Sequence, residues 1–187
     1  MSNVAGSLYS NGYRFVCRYY CSNGSSKLLS TSESAKLTSS GLKRVVVFEN
    51  SNNEYSYFSK SQGSLDANKA VSLARARGQN TGTVIYFAVD YDASESEIKG
   101  NIMQYFAGVY SVLNSAGYYV GVYGSGLTCS IIKASSYCNY SWLSMSTGWR
   151  GYSSYTDWNI KQLKETTFSG IDIDTDQANT LSGIGAW

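Results

Sequence analysis

The 187-residue chain carries 15 Lys and Arg against 13 Asp and Glu, a formal charge of +2, and contains neither His nor Pro. The missing His excludes imidazole-activated nucleophiles and imidazole metal ligation, and the sparse, evenly spread basic charge excludes a nucleic acid partner. No apolar run approaches the roughly 18 residues of a membrane span, and MSNVAGSLYS lacks the basic and then apolar order of an export signal, so the expectation is a soluble chain with no signal peptide and no membrane partner.

The length fits one domain, residues 1–187. Seven short β-rich runs follow one another: Tyr13 to Tyr20, Lys43 to Phe48, Thr83 to Asp92, Tyr118 to Gly124, Tyr140 to Met145, Asp157 to Leu163 and Gly170 to Asp176. The runs around 45–47 and 84–89 are almost wholly apolar, as expected of a sheet covered on both faces. Between the strands the period lengthens to that of helices. Ser30 with Glu33, and Ser94 with Glu97, match a capping box. After the second box Ile98, Ile102, Tyr105, Phe106, Val109 and Leu113 recur at three- and four-residue steps, which predicts one continuous helix. Leu65 to Arg77 and Leu127 to Ala134 read as two more. Gly41, Gly78 and Gly117 stand where helix C-caps want positive φ. Repeated βα units imply an α/β fold with a parallel sheet, open or closed into a TIM-type barrel. A Gly-rich nucleotide loop is missing after the first strand, so the reading calls for no cofactor and no metal.

Functional groups of a βα fold gather at the C-terminal ends of its strands. Those positions hold Glu49, Asp90 and Asp92, with Asp172, Asp174 and Asp176 in the last strand. Asp90 and Asp92, two residues apart, are expected on one strand face, as are Asp172 and Asp174. Asp176 stands apart, at the point where a turn is expected. Converging carboxyls separate one another's proton affinities, which glycosidic hydrolysis requires; the alternative is that they cap helices or hold a hard cation. Tyr86, Tyr123, Trp142 and Gln162, near strand ends, suit a sugar ring and its N-acetyl group. Arg18 is expected either to pair with Glu49 across neighbouring strands or to touch substrate. Four Cys are too few for a disulfide scaffold: either Cys129 and Cys138 close a short loop or all four are buried thiols.

GYRFVCRYY, LTSSGLKRVVVFEN, ARARGQNTGTVIYFAVDYDA, YYVGVYGS, the strands bearing Trp142 and Gln162, and IDIDTDQA with Trp187 together resemble domain-of-unknown-function family 1906. That family is a glycoside hydrolase-like (β/α) barrel related to the family 25 muramidases, and the likeness runs from Gly12 to Trp187. The resemblance implies a peptidoglycan hydrolase cleaving the β-1,4 bond after N-acetylmuramic acid, secreted or delivered to the cell wall; the alternative is a barrel that binds amino-sugar glycan without turnover. It places Asp92 as general acid, Asp90 as the assisting carboxylate, Asp172 or Asp174 as a further acid and Glu49 as an additional candidate. Asp92 stands where that motif has Glu. Such barrels also open with a strand ending in Asp, whereas only 11 residues, none acidic, precede Gly12. The first βα unit is therefore expected to be absent or replaced: by truncation, by Asn3 to Gly6 completing the sheet, by a strand from a partner, or by a homodimer across the seam.

Overall fold

The computed structural model describes residues 2–21 and 27–187. Seven strands form one sheet in chain order: β1 (Phe15–Tyr20), β2 (Lys43–Phe48), β3 (Val84–Ala88), β4 (Tyr119–Gly124), β5 (Tyr140–Leu143), β6 (Ile160–Phe168) and β7 (Ile171–Ala178). β1 through β6 pair in parallel and the sheet curls into a half-barrel. The helices are α1 (Ala5–Ser10), α2 (Thr31–Ser39), α3 (Lys60–Ala76), α4 (Glu95–Glu97), α5 (Met103–Ala116) and α6 (Gly126–Lys133).

Alternation along the strands divides the apolar residues into two cores. Val16, Val46, Phe48, Ile85, Phe87, Val120 and Val122 face the helices, while Val45, Val47, Val84, Tyr86, Ala88, Trp142 and Ile160 fill the concave side. α3 and α5 pack closely because each lends a glycine to the crossing. A Cβ on Gly63 would stand 2.1 Å from the carbonyl oxygen of Tyr105, and one on Gly108 would stand 2.2 Å from that of Lys60.

Several expectations need correction. The last two strands form an antiparallel hairpin, not a further parallel unit. Ser169 and Gly170 both take positive φ, 49° and 75°, which is the two-residue turn whose twist suits a hairpin. The Ser94 box forms in full, but the helix after it is interrupted by a π turn over Ile98–Ile102. There the Asn101 N–H donates to the Tyr55 hydroxyl at 3.4 Å. At the Ser30 box the hydroxyl accepts the Glu33 N–H, but the Glu33 carboxylate turns to Arg18. Gly41, Gly78 and Gly117 take the positive φ expected of them. Cys129 and Cys138 form no disulfide; both are buried thiols, directed at the carbonyls of Trp142 and Tyr140 respectively.

Asn3 to Gly6 form a 3₁₀ turn and the start of α1 rather than a strand, because Ala5 and Leu8 make a helical apolar face that buries in the outer core. No ladder joins β1 to β7 among the described residues. The Arg14 carbonyl accepts the Lys43 N–H and the Tyr20 carbonyl accepts the Glu49 N–H. By alternation the amide of Cys17 faces the seam. The hairpin tip reaches across, with Phe168 edge-on to Tyr13 at a centroid distance of 5.6 Å. The N-terminal ends of the strands are stoppered by the C-terminal segment. Val84 N–H donates to the Gly185 carbonyl at 2.9 Å, Arg44 N–H to that of Trp187 at 3.0 Å, and Ile184 enters the concave core.

Two outcomes follow from this packing. Gly108→Ala should lower stability by about 1–3 kcal/mol in urea unfolding, as overpacking does. Gly6→Ala, with nothing within 4 Å of the added methyl, should leave stability unchanged or slightly raised. In amide hydrogen exchange, the Cys17 N–H should exchange faster than those of Val16 and Arg18 in the ladder; a partner strand paired to β1 would reverse that order.

Candidate active-site cleft

Side chains directed inward from the strand ends line a cleft of about 690 Å³ that runs along the seam. Its floor is apolar. Tyr86 is fully buried, donates its hydroxyl to the Ile184 carbonyl at 3.1 Å, and fills the space left by Gly121, where a Cβ would lie 2.4 Å from the ring. Trp142 stands edge-on to Tyr86 and to Tyr123, at centroid distances of 5.9 and 5.2 Å.

Above this floor the polar groups meet. The Trp142 indole N–H donates to Asp176 Oδ1 at 2.8 Å. The Tyr123 hydroxyl donates to Gln162 Oε1 at 3.0 Å, and Gln162 Nε2 donates to Asp174 Oδ2 at 3.0 Å. Glu49, just past β2, and Asp90, just past β3, line the same cleft with Cys17, Tyr19 and Lys27. The Lys27 ammonium lies 5.1 Å from the centre of the Tyr19 ring.

Burial dominates the electrostatics. It pushes Asp176 up to about 7, even though the Trp142 N–H favours its ionised form, and neighbouring Asp174 adds to the rise. Glu49 is raised by burial and then by the Asp90 charge, with Lys27 opposing; Asp90 is raised by burial, again against Lys27. Burial and the nearby carboxylates push Tyr19 up to about 12. The Cys17 thiol is held neutral by burial first, then by Asp176, to which it hydrogen-bonds.

The structure thus brings together Glu49, Asp90, Asp172, Asp174, Tyr123, Trp142 and Gln162 of the residues expected from sequence. Trp142 is only 5% exposed and serves Asp176 rather than offering a broad face. Asp172, toward the hairpin tip, accepts from the Thr167 hydroxyl at 2.9 Å. Asp92 and Tyr86 fall elsewhere, and Arg18, though it borders the cleft, turns its guanidinium away. Asp92 does not share a strand face with Asp90, since β3 ends at Ala88 and the chain turns; its carboxylate accepts from the Arg150 guanidinium at 2.7 Å and from the Arg150 N–H at 2.8 Å. Arg18 points to the helix side and pairs with Glu33 at 2.9 Å, not with Glu49. Tyr86 belongs to the floor.

Tyr19, Lys27 and Cys17 belong to the site without having been singled out for it, and so does Asp176, which was grouped with the strand-end carboxyls but set apart at an expected turn and given no role. The signal for Asp176 was present: it continues the alternation of Asp172 and Asp174, and β7 runs on to Ala178. Tyr19 and Cys17 share parity on β1. Lys27 enters from a loop and has no periodic signature.

The model of the Rv2525c-like, glycoside hydrolase-like domain matches residues 6–181. The Bacillus subtilis protein FadG is 32% identical over 96% of this chain, and the chain spans about a third of it, 34%. Among solved structures, the Mycobacterium tuberculosis Tat-secreted protein Rv2525c, in complex with HEPES, superposes with a TM-score of 0.82 at 23% identity, covering 98% of this chain and 93% of that one. A muramidase from Trichobolus zukalii gives 0.64 at 16% identity over 97% and 91% of the two chains. The modular autolysin LytC from Streptococcus pneumoniae, in complex with a synthetic peptidoglycan ligand, gives 0.61 at 17% identity over 91% and 42%. These likenesses establish the fold.

The raised Asp176 has a measurable consequence. Between 3.8 and about 7 the folded state binds this proton more tightly than the unfolded state does, so stability falls as pH rises through that window. Asp176→Asn removes the titrating group and should flatten this part of the profile, leaving a shallower slope of the same sign from Glu49 and Asp90. Denaturant unfolding at successive pH values from 4 to 8 would show it.

Proposed function

The chain belongs to the Rv2525c-like, glycoside hydrolase-like domain family, and on that premise we propose that it hydrolyses peptidoglycan at the β-1,4 bond after N-acetylmuramic acid. The observation that carries the proposal is the division of protons in the cleft. Asp176, raised to about 7, keeps a transferable proton near neutrality, while Glu49 and Asp90 stand together just past strands five and four places away in the sheet order. A buried acid and a separate carboxylate are what glycosidic cleavage asks for.

In this reading Asp176 protonates the leaving oxygen, and the Trp142 N–H stabilises the carboxylate that results. Burial and then the Asp90 charge raise Glu49, so in this reading Asp90 is the carboxylate that takes the proton of the attacking water or meets the anomeric carbon itself. Gln162, Asp174 and the ring of Tyr123 present hydrogen-bonding and flat surfaces to the sugar. The muramidase and autolysin folds among the structural neighbours support this substrate class. No described helix is long and apolar enough to cross a membrane, and the Tat-secreted neighbour supports action outside the cytoplasm.

A second reading, glycan binding without turnover, is favoured by Asp92. The residue that the family resemblance gives the acid role is held by Arg150 instead of facing the cleft.

Asp176→Asn should lower turnover on purified peptidoglycan by about 10²–10⁴ while retaining glycan affinity, because it removes only the proton. Asp92→Asn should leave turnover near that of the parent. A loss confined to Asp92→Asn would return the acid role to that residue. Parent protein that binds peptidoglycan but releases no fragments by mass spectrometry would establish the binding reading.

A further inference from the structure

The β2–β3 ladder ends at Phe48 and Phe87, one residue before Glu49 and three before Asp90. Beyond it these strands no longer fix the two carboxyls relative to each other. Asn52, 1% exposed, takes over. Its Nδ2 donates to the Ala88 carbonyl at 3.0 Å, its Oδ1 accepts the Asn50 N–H at 2.7 Å, and its own carbonyl accepts the Asp90 N–H at 2.8 Å. One side chain and its peptide group thus hold the residue after Glu49 to the backbone on both sides of Val89.

The anchor is itself braced from below. Asp66 on α3, 2% exposed, accepts the hydroxyls of Tyr57 at 2.6 Å and Tyr105 at 2.7 Å, and Gln62 Nε2 at 2.8 Å. Tyr57 in turn accepts from Asn50 Nδ2 at 3.4 Å. The loop leaving β2 is therefore tied both to the end of β3 and to the α3–α5 layer.

We infer that Asn52 is a positioning residue that fixes the spacing between Glu49 and Asp90. Its importance to catalysis rests on the hydrolase reading; the spacing itself does not. Charged and titratable groups facing the pair are Lys27, Tyr19 on β1, Tyr123 on β4, and Asp174 and Asp176 on β7. None of these depends on Asn52 for its place.

The test is a carboxyl ¹³C NMR titration of the parent, Asn52→Ala, the gentler Asn52→Ser, and Ile132→Ala, which removes buried core volume from α6, outside both the cleft and the α3–α5 layer. Opening the pair by about 1 Å should move the Glu49 and Asp90 midpoints by about 0.4 pH unit, a change of about 2.5-fold in proton affinity. The Asp176 midpoint in the Asn52 variants, and all three midpoints in Ile132→Ala, should stay at the parent values. If Asn52→Ala does not fold, Asn52→Ser decides. Unchanged Glu49 and Asp90 midpoints in a folded Asn52 variant would overturn the proposal, as would an equal movement in Ile132→Ala. The titration gives its answer even if the parent shows no turnover. If turnover is present, the Asn52 variants should lose kcat with little change in KM.

Discussion

A carboxyl group drawn into the concave side of a sheet gives up water, and its charged form becomes harder to maintain. The cleft is organised around that cost. Asp176 is the most affected, and the groups around it are donors: the Trp142 N–H and the Cys17 thiol. Glu49 and Asp90 face the same difficulty with Lys27 as a partial remedy. The aromatic floor intensifies the effect, since Tyr86, Trp142 and Ile184 exclude water from beneath the acids. Fold and chemistry are thus linked through one variable, the hydration of a few oxygen atoms.

Much of the architecture was legible because it depends on local rules. The runs read at 43–48 and 118–124 became β2 and β4, the second starting one residue later, and three glycines took the left-handed conformation expected at helix ends. Glu49 and Asp90 were legible because each directly follows an apolar strand. The failures came where a local rule was carried past the end of its element. Alternation placed Asp92 beside Asp90, but the ladder stops at Ala88 and the loop leads Asp92 to Arg150. The opposite error set Asp176 apart at an expected turn, although its strand runs on to Ala178. Arg18 shows a third limit, because seeing that it meets Glu33, and neither Glu49 nor the cleft interior, required knowing on which side of the sheet its side chain falls.

Two helices of ordinary composition also matter more than their sequences indicate. The close approach of α3 and α5, permitted by Gly63 and Gly108, brings Tyr105 and Asp66 within hydrogen-bonding distance. That buried contact supports the loop bearing Glu49. The stiffness of the face that bears the cleft is therefore partly set on the opposite side of the sheet, by residues that do not line it.

The stopper beneath the half-barrel affects how the molecule reaches its native state. Tyr86 bonds to Ile184 across 98 residues of chain, and Arg44 pairs with Trp187 across a still longer loop. Contacts so remote in sequence carry a large closure entropy and slow the search for them. A refolding chain should therefore complete its outer helical layer while its interior is still open to solvent, so that the base of the cleft is among the last parts to become ordered.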